Sequence, residues 1–193
     1  MEIKTNINYG KLKDLVKELS KTYKVKVGLL ADKGGSDEVS DNLDMAGLGA
    51  EQEFGKDIKI TQKMAAYLAM RAKELGLPPK KGKGDGYVHI PPRSFLQMPL
   101  TKRNAVINKL KERFGAGTED IVDYIGQSGD LKSLAIMLGA AGVEVVKEAF
   151  QTNGDGQWAP NSPFTEAAKG SALPLRDTGN LESKITYEVE ENG

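Results

Sequence analysis

Asp177-Thr178-Gly179 matches the tripeptide in which an aspartic protease carries each of its two paired carboxylates, so it is the first candidate for a catalytic site. Such a protease needs a second active loop, and nothing downstream of Asp177 resembles one. The neighbouring Arg176 would favour the ionised carboxylate, and a turn before a strand explains the three residues more simply. The tripeptide therefore predicts a turn, and we do not expect an enzyme.

Nitrogen and sulfur ligands for metals are scarce in these 193 residues, which include no Cys and only one His, His89. Thiol catalysis, disulfides and Cys-rich zinc sites are therefore excluded. A lone histidine in a strand is more often a packed or exposed side chain than a ligand. Asn153 and Asp155 are spaced as in a calcium loop, but the closing bidentate Glu is missing. We expect no metal site and no cofactor.

Charge is segregated along a chain whose net charge is zero. Residues 71–113 contain 11 Lys/Arg and 3 Asp/Glu, a balance of +8, whereas residues 114–193 contain 5 and 13, a balance of −8. Oppositely charged segments suit a subunit that binds copies of itself, although they can also pair within one fold or solvate its surface. The basic residues that could face DNA or another subunit are Lys80, Lys81, Lys83, Lys102, Arg103, Lys109, Lys111 and Arg113.

No nucleic-acid recognition motif accompanies this basic segment. The Gly/Lys loop at 80–86 fits neither the P-loop nor the dinucleotide fingerprint, and its lysines are not interleaved with aromatic residues. The loop is therefore expected to be an exposed surface segment. The apolar stretch at 131–150 contains four charged residues, so we expect no membrane span.

Hydrophobic periodicity predicts the elements that position these residues. Helices are predicted over 9–20, 45–54, 61–75, 106–114, 118–126, 131–150 and 165–169, and strands over 24–30, 87–90 and 181–189, with an exposed loop at 32–42. Asp44, Thr61, Thr118 and Asp130 are predicted N-caps. The chain is thus predicted to be a single α+β domain over 1–193. A small mixed or antiparallel sheet would pack against several helices, with a C-terminal strand and a helical elaboration around 115–152.

A corner at Pro91 and Pro92 is the centre of this arrangement. The two prolines fix an extended exit from strand 87–90, which allows a helix from Arg93 onward and makes Phe95 and Leu96 core anchors. In the long helix at 131–150, Gly139 and Gly142 cost helix propensity. They therefore predict close packing against a neighbour in the same chain or in the next.

Four segments, in order, resemble signatures of the tail-completion and neck proteins of tailed bacteriophages, some of which are called virion morphogenesis proteins. The matching residues are Glu53, Phe54 and Gly55; Ile90, Pro91, Arg93 and Phe95; Trp158, Pro160, Thr165 and Lys169; and Leu175, Asp177, Thr178, Gly179 and Leu181. The chain departs from the family at Pro92 and Ser94, where a small residue and then a proline are more usual, and in the loop at 80–86. These departures leave open which neck component it resembles.

The resemblance implies a structural virion protein that forms a ring at the head–tail joint and connects the head connector to the tail tube. It implies a homo-oligomer, a hexamer or alternatively a dodecamer, made in the host cytoplasm. Its partners would be head-connector and tail-tube or tail-terminator proteins, with non-specific contact to DNA in the lumen. The alternative is a nucleic-acid-binding module that uses residues 71–113. We expect Arg93 and Asp177 to serve architecture, and Trp158 to be a core residue or an interface anchor.

Overall fold

The computed structural model describes residues 17, 21–40, 43–78, 85–102, 104–114, 123–124 and 130–192. The strands are β1 (Thr22–Gly28), β2 (Glu38–Ser40), β3 (Leu43–Asp44), β4 (Lys56–Lys59), β5 (Tyr87–Ile90) and β6 (Thr186–Asn192). The helices in these ranges are α1 (Met45–Phe54), α2 (Gln62–Glu74), α3 (Gln97–Thr101), α4 (Ala105–Phe114), α5 (Leu131–Gln151), α6 (Pro163–Lys169) and α7 (Asn180–Ser183), with a 3₁₀ turn at Ala31–Lys33. The predicted α+β class is confirmed.

The first and last described strands form the main antiparallel pair. Strand β1 pairs with β6 from Thr22 opposite Asn192 to Gly28 opposite Thr186, and α5 packs across both strands. The pairs β2–β3 and β4–β5 are also antiparallel. The sequence had left open a mixed or an antiparallel sheet, and the described strands pair only in the antiparallel sense.

The small residues of α5 permit the strands to approach closely. A Cβ atom on Gly139 would lie 2.4 Å from Cδ2 of Tyr187, and one on Gly142 would lie 2.9 Å from Cγ2 of Val27. Both distances are shorter than real carbon contacts, so a side chain at either position would push a strand away. The predicted close packing is therefore confirmed, and the neighbour lies in the same chain.

Three aromatic side chains form the centre of the core. Phe150, near the end of α5, meets Phe95 with ring centroids 5.4 Å apart and Trp158 with centroids 5.5 Å apart, both edge to face. Phe95 and Phe150 are fully buried, and the buried side chains of Leu181 and Ile185 join the same cluster. Leu96 is partly buried against it. The prediction that Phe95 and Leu96 anchor the corner in the core is confirmed.

Residues 56–78 and 85–90 form an arm consisting of β4, α2 and β5. The two strands form an antiparallel ribbon from Lys56 opposite Ile90 to Lys59 opposite Tyr87. Helix α2 lies between them in sequence, and none of its residues is buried. The arm therefore contributes little to the core formed by α5 and its neighbours.

Local sequence signals placed most helix starts correctly. Asp44 accepts a hydrogen bond from the backbone N–H of Gly47, Thr61 from that of Met64, and Asp130 from that of Ser133, so these three N-caps are confirmed. The predicted helices over 9–20 and 118–126, the cap Thr118 and the loop at 80–84 fall outside the described residues, apart from Lys17 and residues 123–124.

The structure differs from the prediction most at three places, beyond the two-residue offsets of β1 and α6. The helix after the corner begins at Gln97 rather than Arg93, because the intervening N–H groups bond to a side chain from α1. The last strand begins at Thr186 rather than 181, because Gly179, at φ 79°, starts the short helix α7 instead. The predicted loop at 32–42 contains a 3₁₀ turn and strand β2 in its described part, since Gly35 N–H bonds to Leu30 O at 2.8 Å and folds the segment back.

Candidate functional site

A buried carboxylate at the end of α1 organises the Pro-Pro corner. Glu53 is 5% exposed, and one of its oxygens accepts from Ser94 Oγ at 2.5 Å and from the N–H of Gln97 at 2.9 Å. The other accepts from the N–H groups of Phe95 at 2.7 Å and Leu96 at 2.9 Å. These N–H groups at the start of α3 have no helical acceptor, so Glu53 acts as their cap from a distant part of the chain.

The rest of the first motif segment turns the chain into the arm. Phe54 is 71% exposed, whereas Gly55 has a φ of 77° that side-chain-bearing residues rarely adopt. A Cβ at Gly55 would lie 2.8 Å from the carbonyl oxygen of Ile90 and 2.9 Å from the nitrogen of Pro92. Glycine is therefore required here because the backbone of the corner passes directly against it.

Arg93 is a nearly buried cation, only 7% exposed, that joins the corner to the segment after Trp158. Its Nε donates to Ala159 O at 2.8 Å, and its Nη2 donates to Pro160 O at 3.0 Å and to Asn161 Oδ1 at 3.4 Å. Burial lowers the pKa of the Arg93 guanidinium below its ordinary value. Among the described residues no acidic side chain forms an ion pair with it, and the protein atoms that accept its hydrogen bonds are neutral oxygens.

Trp158 closes the corner from the core side. It is 7% exposed, and its Nε1 donates to Ser94 O at 3.1 Å. A Cβ on Gly154 would lie 2.3 Å from that Nε1, so the glycine leaves space for the indole. The structure therefore places Trp158 in the core, the first of the two roles predicted for it.

Three of the four motif segments line one cleft of about 670 Å³. The cleft lies between the corner, the segment that contains α6, and the turn before α7. The motif residues on its walls are Ile90, Pro91, Arg93, Pro160, Thr165, Lys169, Leu175, Asp177, Thr178, Gly179 and Leu181. Residues more than 60 positions apart in sequence thus meet at one site, and the fourth segment supports it through Glu53.

The cleft is lined by more basic than acidic side chains. Among the described residues, Lys169 Nζ donates to Leu173 O alone, at 3.2 Å. Burial lowers the pKa of Lys169; the negative charge of Asp177 opposes this shift, and the positive charge of Arg93 adds to it. Asp177 is exposed, and it is the single acidic side chain among the described residues that line the cleft. No second carboxylate among the described lining residues is therefore positioned to share a proton with it.

His89, at the rim of the cleft, lies between two carboxylates of the arm. Its Nδ1 lies 2.6 Å from Asp57 Oδ1, and its Nε2 lies 2.6 Å from Asp85 Oδ2. The hydrogen bond to Asp85, followed by that to Asp57, raises the pKa of His89 above its ordinary value of 6.5. Within the described ranges no group of three or more His, Cys, Asp or Glu residues is arranged to hold a metal ion.

The predicted basic residues that can be placed are largely paired inside the chain. Lys109 on α4 contacts Glu148 on α5 at 2.5 Å and Glu112 at 3.1 Å. Arg113 pairs with Glu144 of α5, and Lys102 pairs with Asp155. Lys111 is half-buried on α4, whereas Lys80, Lys81, Lys83 and Arg103 fall outside the described residues. Part of the charge segregation is therefore pairing within one fold.

Sequence reasoning missed Asn161. This buried amide accepts from Arg93, and its Nδ2 donates to the carbonyls of Ala172 at 3.3 Å and Leu173 at 3.2 Å. It therefore holds both walls of the cleft together. Its neighbours Ser162 and Pro163 form an ordinary helix start, so nothing local distinguishes Asn161 from a turn residue.

Comparison of the chain with protein-family models, curated proteins and solved structures finds no match. The family resemblance therefore rests on the four motif segments themselves. In the described part of the chain, every helix is too short or too polar to cross a membrane.

Proposed function

We propose that this chain is a structural virion protein of a tailed bacteriophage that forms a ring at the head–tail joint. It would connect the head connector to the tail tube as a hexamer or a dodecamer, after synthesis in the host cytoplasm. The observation that carries the proposal is that the four segments resembling neck proteins converge on one corner and its cleft. Segments that recur together for a shared architecture are expected to meet in space in this way.

The arm supplies a surface suited to self-association. Tyr67 is 55% exposed and Met70 is 52% exposed on α2, and Phe54 at the base of the arm is 71% exposed. A helix of 13 residues is marginal in water without tertiary packing, and no residue of α2 is buried. Packing of α2 against the next subunit would bury these side chains, and a heterologous contact of this kind closes into a ring.

Light scattering of the purified chain, combined with negative-stain electron microscopy, tests the proposal. We expect ring particles with the mass of six or twelve subunits, alone or with the tail-tube protein added. The double variant Tyr67→Ser/Met70→Ser should remain monomeric with unchanged Trp158 fluorescence. Ile136→Ser serves as a matched control, because Ile136 is a similarly exposed apolar residue, at 40%, on α5 rather than on the arm.

A chain that stays monomeric at every concentration, with and without tail-tube protein, would refute the ring. If the monomer instead retains DNA in a salt-dependent manner, the alternative of a nucleic-acid-binding module is favoured. That alternative relies on the basic segment, several of whose side chains are paired with acidic residues of α5 and of the turn after it. Retention of DNA by the ring alone would fit the lumen of a neck component.

A further inference from the structure

We infer that the cleft at the Pro-Pro corner binds a carboxylate-bearing peptide segment of a different protein, with Arg93 and Lys169 recognising the carboxylate. The inference does not depend on the proposed ring, since it concerns the chemistry of the cleft in a single chain.

One donor of Arg93 has no partner among the described residues. The hydrogen bonds of its side chain involve Nε and Nη2, and Nη1 makes none to any described residue. Arg93 as a whole residue is 7% exposed, and it lines the cleft. Buried charges in proteins are generally paired, and a guanidinium that meets only carbonyl and amide oxygens leaves its charge uncompensated. A carboxylate in the cleft would supply the missing charge and accept from Nη1.

The charge balance of the cleft favours a monoanion. Arg93 and Lys169 supply two positive charges, and Asp177 supplies one negative charge. His89 at the rim lies between its own carboxylate partners, Asp57 and Asp85, and adds no net positive charge. The remaining single positive charge matches a monoanionic carboxylate better than a dianionic phosphate. The hydroxyl of Thr178 can donate to the second oxygen of the same group, as can one of the hydroxyls of Ser162 and Thr165, which share a hydrogen bond with each other.

Part of the wall of the cleft is apolar. Met45, Leu48, Leu175 and Leu181 line the cleft together with the two cations. Ligand sites commonly enclose 300–1,000 Å³ and combine apolar walls with a few polar groups that fix orientation. A volume of about 670 Å³ therefore suits an acidic side chain flanked by apolar residues rather than a free anion.

The carboxylate could come from a second copy of this chain or from a different protein, and the ion pairs of the chain bear on this choice. In the described part of the C-terminal third, Glu144, Glu148 and Asp155 pair with basic residues of the segment 102–113, and Glu182 pairs with Arg176. Strand β6 contributes Glu188 and Glu190 to Lys26, and Glu191 to Lys21. The acids of the C-terminal third are therefore largely engaged within their own chain, and the exposed acids Asp32 and Glu38 of a second copy lie in another region. We assign the carboxylate to a different protein and test a second copy as the competing occupant.

Titration of the full chain with acetyl-Leu-Glu-Leu-amide, followed by NMR, tests this inference. We expect saturable shifts of the Arg93 Nε–H and Thr165 amide signals, with no saturable shift for acetyl-Leu-Gln-Leu-amide. Lys169→Gln should weaken binding about tenfold, the loss expected for a hydrogen bond to a charged group. Lys59→Gln on β4, an exposed lysine outside the cleft, is the matched control and should bind normally.

Asp177→Asn separates recognition from a merely structural role. Removal of the one lining acid should tighten binding of the Glu peptide, and loss of a structural contact would not. Equal binding of the Glu and Gln peptides, or no saturable shift up to millimolar peptide, overturns the proposal. Inorganic phosphate that binds as tightly as the Glu peptide overturns the assignment to a carboxylate. If Lys169→Gln abolishes self-association and the Glu peptide dissociates the wild-type oligomer, a second copy is the occupant and the assignment to a different protein is wrong.

Discussion

Replacement of Glu53 by Gln is the sharpest test of how the corner is held together. Four donors share the two carboxylate oxygens, and a Gln side chain has only one acceptor oxygen. The least costly placement keeps that oxygen on the N–H groups of Phe95 and Leu96 and turns the NH₂ toward Ser94 Oγ. The N–H of Gln97 is then left without an acceptor.

An unsatisfied N–H group costs about 1–3 kcal/mol, and the remaining bonds lose the assistance of the negative charge. We therefore expect Glu53→Gln to lower the free energy of unfolding by about 2–4 kcal/mol. Glu51→Gln is the matched control, since Glu51 lies on the same helix and pairs only with the exposed Lys56. An exposed ion pair contributes about 0–1 kcal/mol.

Urea unfolding followed by Trp158 fluorescence measures both variants, because the indole N–H bonds to Ser94 O and reports on the corner directly. The only tryptophan of the chain therefore provides a local probe without labelling. If Glu53→Gln is no less stable than Glu51→Gln, the four bonds do not hold the corner and the capping argument fails.

Trp158→Ala should cost about 3–5 kcal/mol in urea unfolding followed by circular dichroism, because it empties a core site against Phe150; an equally stable mutant would contradict burial. Gly139→Ala should cost about 1–3 kcal/mol, and Tyr187→Leu should recover part of this loss, because the new methyl meets that ring. An NMR titration should place the pKa of His89 above 6.5, and Asp57→Asn should lower it. Since the folded-state pKa is raised, protonation of His89 stabilises the β4–β5 ribbon fully below the unfolded pKa, and this stabilisation disappears as pH rises through the folded pKa. Amide protection factors, corrected for the intrinsic pH dependence of exchange, measure it, and protection that does not change with pH would exclude this linkage.

Features that depend on a few adjacent residues were predictable from the sequence. Asp44, Thr61 and Asp130 each precede an apolar helical pattern and bond to an N–H three residues later, so the cap and its helix are encoded together. Alternation of Val25 and Val27 with lysines similarly indicated strand β1. Such signals fix an element without reference to the rest of the fold.

The start of the last strand was not predictable in this way. Leu181 and Ile185 are four residues apart, so they share one face in a helix and also in a strand. Both are buried, which satisfies either pattern. The choice is made by Gly179, whose left-handed conformation begins α7, and by pairing with β1, which starts only at Thr186. Alternation alone cannot distinguish these two solutions.

The cleft depends on contacts over long sequence separations. Arg93 bonds to residues more than 60 positions later, and Glu53 bonds to residues more than 40 positions later. No local rule relates these residue types, so only the family resemblance grouped Glu53 and Arg93 with the later segments. Asn161 belonged to no recognised motif position and was therefore missed, although it connects the two walls.

The charge segregation has two explanations that a test must distinguish, ion pairs within one chain and ion pairs between subunits, because the structure already shows pairs within the chain. Lys109 pairs with Glu148, and Arg113, one turn later on α4, pairs with Glu144, one turn earlier on α5. This is the pattern of two antiparallel helices. In a ring held by these charges, Lys109→Glu would slow assembly and Glu148→Lys would restore it. An intrachain pair gives the same rescue.

Protein concentration distinguishes the two explanations. An intrachain pair predicts that Lys109→Glu destabilises the monomer by about 0–1 kcal/mol and that Glu148→Lys restores it equally at every concentration. A pair between subunits predicts rescue that grows with concentration and leaves the dilute monomer unchanged. We expect the first result, measured by urea unfolding beside light scattering. A concentration-dependent rescue would show that α4 of one subunit contacts α5 of the next. It would also show that the segregated charges pair at the ring interface.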